Sequence, residues 1–245
     1  MKNLILIFCL FSFTTKSQDD LKLFFPELDS ELIGLWMQED IQYKSDVTLE
    51  RITPLWEDIQ PLLTKNLLPQ SMSHICRIEE LIIQMEVEAD RNRYDLVKKR
   101  AWELLREFRL IRAGYTSYIY PLDYLLYTYE SVAEIDYTVH DLMFGLRYWF
   151  EFRDLLNELD CYWNLYLIIP DEHLEFYNPY IELEKHRDLC LKFNDCKNAF
   201  LESLDSNYQT DYKVPISEMS DSLYELISVY SSKYASYENP ATSKS

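Results

Sequence analysis

The side chains best suited to coordination or acid–base chemistry are few: histidines at 74, 140, 173 and 186, and cysteines at 9, 76, 161, 190 and 196. Two stripes stand out by spacing. Asp136 and His140 lie four apart, and Glu182, His186 and Cys190 repeat that interval. On a helix such residues share one face, so oxygen, nitrogen and sulfur donors from adjacent helices could together hold zinc or copper. Coincidences of this spacing are common among Asp, Glu and His, and the plainer reading is a pair of polar flanks. No other cofactor is expected.

Several motifs are missing. There is no C-x-x-C-H run, which removes covalent haem attachment. There is also no H-E-x-x-H, no glutamate three residues before a histidine, no G-x-S-x-G and no glycine-rich phosphate loop. Zincin, di-iron-bundle, hydrolase and nucleotide chemistry therefore lose their usual carriers. No catalytic residue is assigned, and no motif ties the chain to a known family.

Two further groups are candidates for binding rather than catalysis. Arg153 and Asp160 interrupt an otherwise apolar helical seam, where a charge must be paired or reach water. They mark either a polar pocket between helices or a snorkelling arginine beside a helix end. Tyr115, Tyr118, Tyr120, Tyr124, Tyr127 and Tyr129 crowd one short span around Pro121. Amphipathic rings of this kind suit a ligand or partner surface, and equally the end of a bundle where hydroxyls meet water.

The elements that must position these residues follow from proline spacing and apolar period. Proline-free stretches run over 70–120, 122–169 and 180–214. In the first, Ile75, Ile78, Ile82, Met85 and Ala89, then Ala101, Leu104, Phe108 and Ile111, step by three and four along one helix face. That predicts a helix over 71–113, kinked at the polar patch 90–95. Acidic residues early and basic ones late suit its dipole, and Gly114 is placed to cap it.

The longest period runs Val132, Ile135, Val139, Leu142, Leu146, Trp149, Arg153, Leu156, Asp160, Trp163. It predicts one core helix from just after Pro121 to near Pro170. Asp171 is expected to cap a following helix, bent at Pro179, whose apolar side is Leu183, Leu189, Phe193, Cys196, Phe200 and Leu204. A shorter helix starts at Ser217 with Leu223, Leu226, Ile227, Tyr230 and Tyr234 inward. Upstream, Thr53 and Pro54 form a cap and first-turn pair. Leu49, Ile52, Trp56, Ile59 and Leu63 step helically, Pro61 should kink or divide that helix, and a short helix is expected over 30–41.

Composition narrows the class. Only three glycines occur in 245 residues, too few for the positive-φ turns of an all-β chain. Lys2 followed by the apolar run 4–13 reads as a secretory leader, too short to span a bilayer, with cleavage before Gln18. A lipoprotein reading would use Cys9, which lies inside that apolar run. Loss of Lys2 and Lys16 takes the formal charge from −18 to −20, and such a field repels nucleic acid. Cys76, Cys161, Cys190 and Cys196 remain in a compartment that permits disulfides. Cys190 and Cys196, six apart on one helix, point too far apart to pair.

The expectation is an all-α protein: leader 1–17, one up-and-down helical bundle over 18–236 with long helices and additional short ones, and a disordered tail 237–245. It is expected to be exported to the periplasm or beyond, from a leader of the Gram-negative type. The mature chain carries no transmembrane segment and no site for nucleic acid. The expected role is non-enzymatic binding of a protein or small-molecule partner, with a metal-binding, possibly redox, bundle as the alternative.

Overall fold

A computed structural model describes residues 25–37, 44–66, 72–113, 120–142, 149–179, 181–205 and 213–231. The protein is an all-α helical-bundle protein, with no strand among the described residues. Its helices are α1 (25–37), α2 (Lys44–Asn66), α3 (Met72–Asp90), α4 (Tyr94–Ala113), α5 (Pro121–Leu142), α6 (Trp149–Leu167), α7 (Asp171–Tyr177), α8 (Leu183–Asp205) and α9 (Lys213–Ser228), followed by a 3-10 turn, Val229–Ser231. No described helix is long and apolar enough to cross a membrane. Within the span expected as one domain, the helices fall into two compact units, α1–α4 and α5–α9 with the 3-10 turn.

In the first unit the face read from sequence is the buried one. Leu49, Ile52, Trp56, Ile59 and Leu63 of α2 are all in the core. Pro54 and Pro61 do not divide or cap this helix as expected; both sit inside it. They occupy its exposed side, as do Glu50 and Glu57, the residues whose carbonyls lose an N–H partner. Those carbonyls meet water instead, which lowers the usual cost of proline in a helix.

The helix predicted over 71–113 is two helices. Asn92 takes the left-handed conformation (φ 56°), which asparagine tolerates better than most residues. The amide of Asn92 bonds to the Ala89 carbonyl at 2.8 Å and that of Arg93 to Glu88 at 2.9 Å, closing α3. The chain then folds back, and His74 meets Glu107 (2.7 Å) while Arg77 meets Glu103 (3.2 Å), an antiparallel register. The kink is thus a full hairpin, because the polar patch supplies a terminator and leaves two apolar faces free to bury each other. Gln60 to Glu79 joins α2 to α3, and the Trp36–Trp102 and Phe25–Phe108 ring contacts join α1 to α4.

The second unit is built the same way. Tyr127 of α5 stacks on Tyr162 of α6, and Trp163 Nε1 of α6 donates to Asn194 Oδ1 of α8 at 2.7 Å. Lys192 of α8 pairs with Glu225 of α9 at 2.7 Å, and α9 packs against α5. These contacts define an antiparallel four-helix ring, α5–α6–α8–α9, with α7 linking two of its members.

The single seam expected over 132–163 is therefore not one helix. Val132, Ile135 and Val139 are buried on α5 as read, but on α6 the buried set is Phe152, Leu159, Trp163 and Tyr166. Carrying one period across a chain reversal shifted the face, and only Trp163 belongs to both registers. Leu142, Leu146 and Trp149 have side chains outside the described residues.

The helix expected to bend at Pro179 is likewise two. Asn178, held extended before the proline (φ −135°, ψ 91°), ends α7, as a residue preceding proline must. Asp171 does not cap α7; Pro170 holds that position, and Asp171 pairs instead with Arg187. The terminal helix begins at Lys213 rather than Ser217. The leader, residues 38–41, Tyr234 and the tail lie outside the described residues.

Candidate functional site

Three polar arrangements interrupt the apolar cores, two in the second unit and one in the first. The most enclosed lies where α6 ends, α8 begins and α9 runs into the 3-10 turn. Tyr166, near the end of α6, brings its hydroxyl 2.5 Å from Nε2 of His186 on the first turns of α8. The same hydroxyl lies 3.1 Å from that of Tyr230 in the 3-10 turn. Cys190, one turn beyond His186, places Sγ 3.8 Å from the same Nε2. All four side chains are buried. The turn carrying Tyr230 is held from the other side by Asn178, whose Nδ2 donates to the Val229 carbonyl at 2.8 Å. Trp163 stacks on Tyr166 with ring centres 5.6 Å apart.

Burial sets the protonation states. Desolvation, with Asp171 and Arg187 acting in opposite senses, lowers the His186 pKa, so the ring is neutral. Desolvation also pushes the Cys190 thiol up to about 12 and both phenols above their usual value, with the charge of Cys190 adding to the rise at each phenol. In the neutral cluster Tyr166 donates to Nε2 and Tyr230 donates to Tyr166. The proton on the histidine then sits on Nδ1, an assignment made from the bonding pattern.

The second arrangement is an open groove between α5 and α6 of about 320 Å³. Tyr127, Glu130, Ser131 and Glu134 line it from α5, and Leu155, Glu158 and Tyr162 from α6. The antiparallel register places the residues at intervals of three and four on each helix, so both rows face the same furrow. Tyr127 and Tyr162 close one end as a stacked pair, with ring centres 4.6 Å apart and planes 13° apart. Ser131 Oγ donates to the Tyr127 carbonyl at 3.0 Å, so this hydroxyl is engaged within its own helix. The groove is thus lined by three carboxylates and a stacked tyrosine pair.

The third is a charge pair in the core of the first unit. Arg112 Nη1 of α4 donates to Asp29 Oδ2 of α1 at 3.0 Å, and the two side chains are 1% and 2% exposed. The Arg112 guanidinium also lies 5.2 Å from the centre of the Phe25 ring. Beside the pair, Glu31 of α1 meets Arg51 of α2 at 3.1 Å. Arg109 is buried as well. Arg109 and Arg112 belong to the basic late end of the stretch expected to suit the helix dipole. Their spacing carries a signal of burial, since Arg109 and Arg112 sit four residues beyond Leu105 and Phe108 on the inward face.

The sequence-derived candidates divide. His186 and Cys190 are brought together in the core, while Glu182 is exposed just ahead of α8. Asp136 is exposed on α5, and the His140 side chain lies outside the described residues. Among the described residues no group of three His, Cys, Asp or Glu side chains converges as a metal-ligand set. Of the two readings of Arg153 and Asp160, the described side chains match the outward arginine rather than the polar pocket. Arg153 is exposed with its guanidinium 5.5 Å from the Phe150 ring centre, and Asp160 pairs with Lys197 of α8 at 2.5 Å. Both follow from the rotated face of α6.

Of the tyrosines, Tyr127 lines the groove and Tyr124 is half-buried. Tyr120 is buried against Tyr177 at 4.8 Å. Tyr115 and Tyr118 lie outside the described residues. Tyr162, Tyr166 and Tyr230 were missed as site residues because each lies far in sequence from the crowded span. All four cysteines of the described residues are free thiols; Cys76 and Cys161 are exposed.

Comparison of the chain with protein-family models, curated proteins and solved structures gives no match in any of the three.

Proposed function

We propose that this chain is an exported, non-enzymatic binding protein whose ligand seat is the groove between α5 and α6, and that its ligand is cationic. The groove itself carries the reading. At about 320 Å³ it lies at the small end of ligand pockets, large enough for a small amine or a single basic side chain. Glu130, Glu134 and Glu158 supply negative charge, and ring faces such as those of Tyr127 and Tyr162 attract cations. The chain's formal charge of −18 draws in the same class of ligand and repels its opposite. Export rests on the apolar leader read from the sequence.

Calorimetric titration of the mature protein with spermidine, and with citrate as the anionic control, tests this. Spermidine binding that weakens with added salt, and no citrate binding, is expected. Equal responses to both, or none to spermidine, would remove the reading.

A second reading, metal binding, is favoured by one observation: His186 Nε2 and Cys190 Sγ stand 3.8 Å apart in the core beside two phenols. Zinc or copper retained by purified protein, and lost on His186→Ala, would support it.

A further inference from the structure

The first unit segregates its charge in a way that its own contacts do not use. On α3 the exposed residues Met72, Cys76, Ile83 and Val87 follow one another at steps of four, seven and four, so they form one outward stripe. Glu79, Glu80 and Glu86 border it. On the other arm of the hairpin, Lys99, Arg106 and Leu110 of α4 are exposed beyond Asp95 of its first turn. The pairs that join the two arms run in the opposite sense: His74 and Arg77 of α3 meet Glu107 and Glu103 of α4. Each arm thus spends its minority charge on the hairpin and turns its majority charge outward. Glu79 and Glu86 meet the neutral donors Gln60 and Thr53. The helix dipole does not account for the acidic row either, since α3 ends on Glu88 and Asp90 with no basic residue in its last turn.

We propose that this side of the hairpin is a self-association surface. Two copies pair about a two-fold axis parallel to the helices, with α3 of each lying on α4 of the other. Such an axis makes every contact twice. It also leaves height along the helices unchanged, so the register between copies is the register within one hairpin. That register, set by His74–Glu107 and Arg77–Glu103, puts Met72 level with Leu110 and places Lys99 between the levels of Glu80 and Glu86. Apolar residues then meet apolar ones, and cations meet carboxylates. Pairing α3 on α3 would instead set one acidic row against another.

Helices of this length, about 30 Å long and about 10 Å apart, give roughly 1,100 Å² from the two copies together, at the small end of specific interfaces. The copies therefore exchange, and Cys76 near the axis still meets a thiol reagent, more slowly as concentration rises. The chain's formal charge of −18 opposes association. Salt screens that opposition beyond about 10 Å at 0.1 M, whereas the paired side chains lie closer.

Sedimentation velocity of the full chain over a concentration series tests this, with two charge-reversed variants. Lys99→Glu with Arg106→Glu turns the α4 face acidic, and Glu80→Lys with Glu86→Lys turns the α3 face basic. The parent should dimerise reversibly, and each variant alone should lose at least about tenfold in association. The two variants mixed should recover a heterodimer, because acidic faces then meet basic ones in both contacts. A defect in folding is not repaired by mixing. Should a variant lose its helical circular dichroism, chains with Met72→Cys are mixed with chains with Leu110→Cys, all carrying Cys76→Ser and Cys161→Ser. Oxidation should then link the two kinds of chain in preference to either alone, and failure to do so would overturn the register. A parent that stays monomeric up to about 1 mM would overturn the proposal and leave the acidic stripe to a basic helix of another protein. Variants that each dimerise as well as the parent would overturn it too.

Discussion

Tyr166 and His186, twenty residues apart and on different helices, meet through a 2.5 Å contact between Oη and Nε2 with both side chains buried. That contact fixes the register of α6 against α8 at the end where the 3-10 turn closes the unit. It also lies one helical turn from Trp163, whose indole is fully buried and donates to Asn194 on α8. The polar contact and the apolar one share the inward face of α6, so the face of this helix can be tested by stability.

Truncation of Trp163 to alanine should cost about 3–5 kcal/mol, the range for a large buried aromatic whose cavity cannot fully collapse. Arg153→Ala should change stability by less than about 0.5 kcal/mol, as for an exposed residue outside any network. Denaturant melts of both variants check this. A loss at Arg153 comparable to that at Trp163 would show that the face of α6 is assigned wrongly.

The Arg112–Asp29 pair should dominate the first unit's sensitivity to charge. Arg112→Ala leaves the Asp29 carboxylate buried without its guanidinium and should cost about 3–5 kcal/mol. Replacing both residues together, with Arg112→Met and Asp29→Asn, should cost clearly less than Arg112→Ala alone, since neither member of the pair is then left charged without the other. Urea titration of the two variants against the parent measures the difference.

Asn92 sets the reversal between α3 and α4. Asn92→Val should destabilise by about 1–2 kcal/mol, because a β-branched side chain resists the left-handed conformation. Asn92→Gly should be neutral or slightly stabilising. Thermal melts distinguish the two.

Thiol reactivity should sort by burial. With a disulfide reagent at pH 8, Cys76 and Cys161 of the native protein should react readily. Cys190, enclosed and with its thiol pushed up to about 12, should react only after unfolding. Mass mapping of the labelled peptides reads the order, and early labelling of Cys190 would contradict its enclosure.

Much of the fold could be read from periodicity, because apolar spacing reports which face a helix buries. Every residue named on the faces of α2, α3 and α4 is buried, and so is each named on α5 through Val139, although the inward Arg109 and Arg112 were not among them. What periodicity does not carry is where a helix turns back, since a pattern of threes and fours continues through a hairpin if both arms are amphipathic. That is why 71–113 and 122–169 each read as one helix, and why Arg153 and Asp160 were placed in a core that belongs to Phe152 and Leu159.

The sites were less legible for a related reason. His186 and Cys190 were found because they lie four apart on one helix. Tyr166 and Tyr230 join them only through the packing of α6 and the 3-10 turn against α8, a relation no local spacing records. The groove is similar, since its two rows of residues become one lining only once α5 and α6 are antiparallel.

The seat proposed for a cationic ligand is the groove between α5 and α6. Tyrosine ring resonances, followed by nuclear magnetic resonance as spermidine is added, test it most directly. Tyr127 and Tyr162, whose stacked rings wall the groove, should shift together and saturate, while buried Tyr177 stays in place. The shifts should weaken about tenfold in apparent affinity when Glu134 and Glu158 are both changed to glutamine, a loss of about 1.4 kcal/mol of attraction. Spermidine that leaves Tyr127 and Tyr162 unmoved, or binds the double variant as tightly as the parent, would contradict the account.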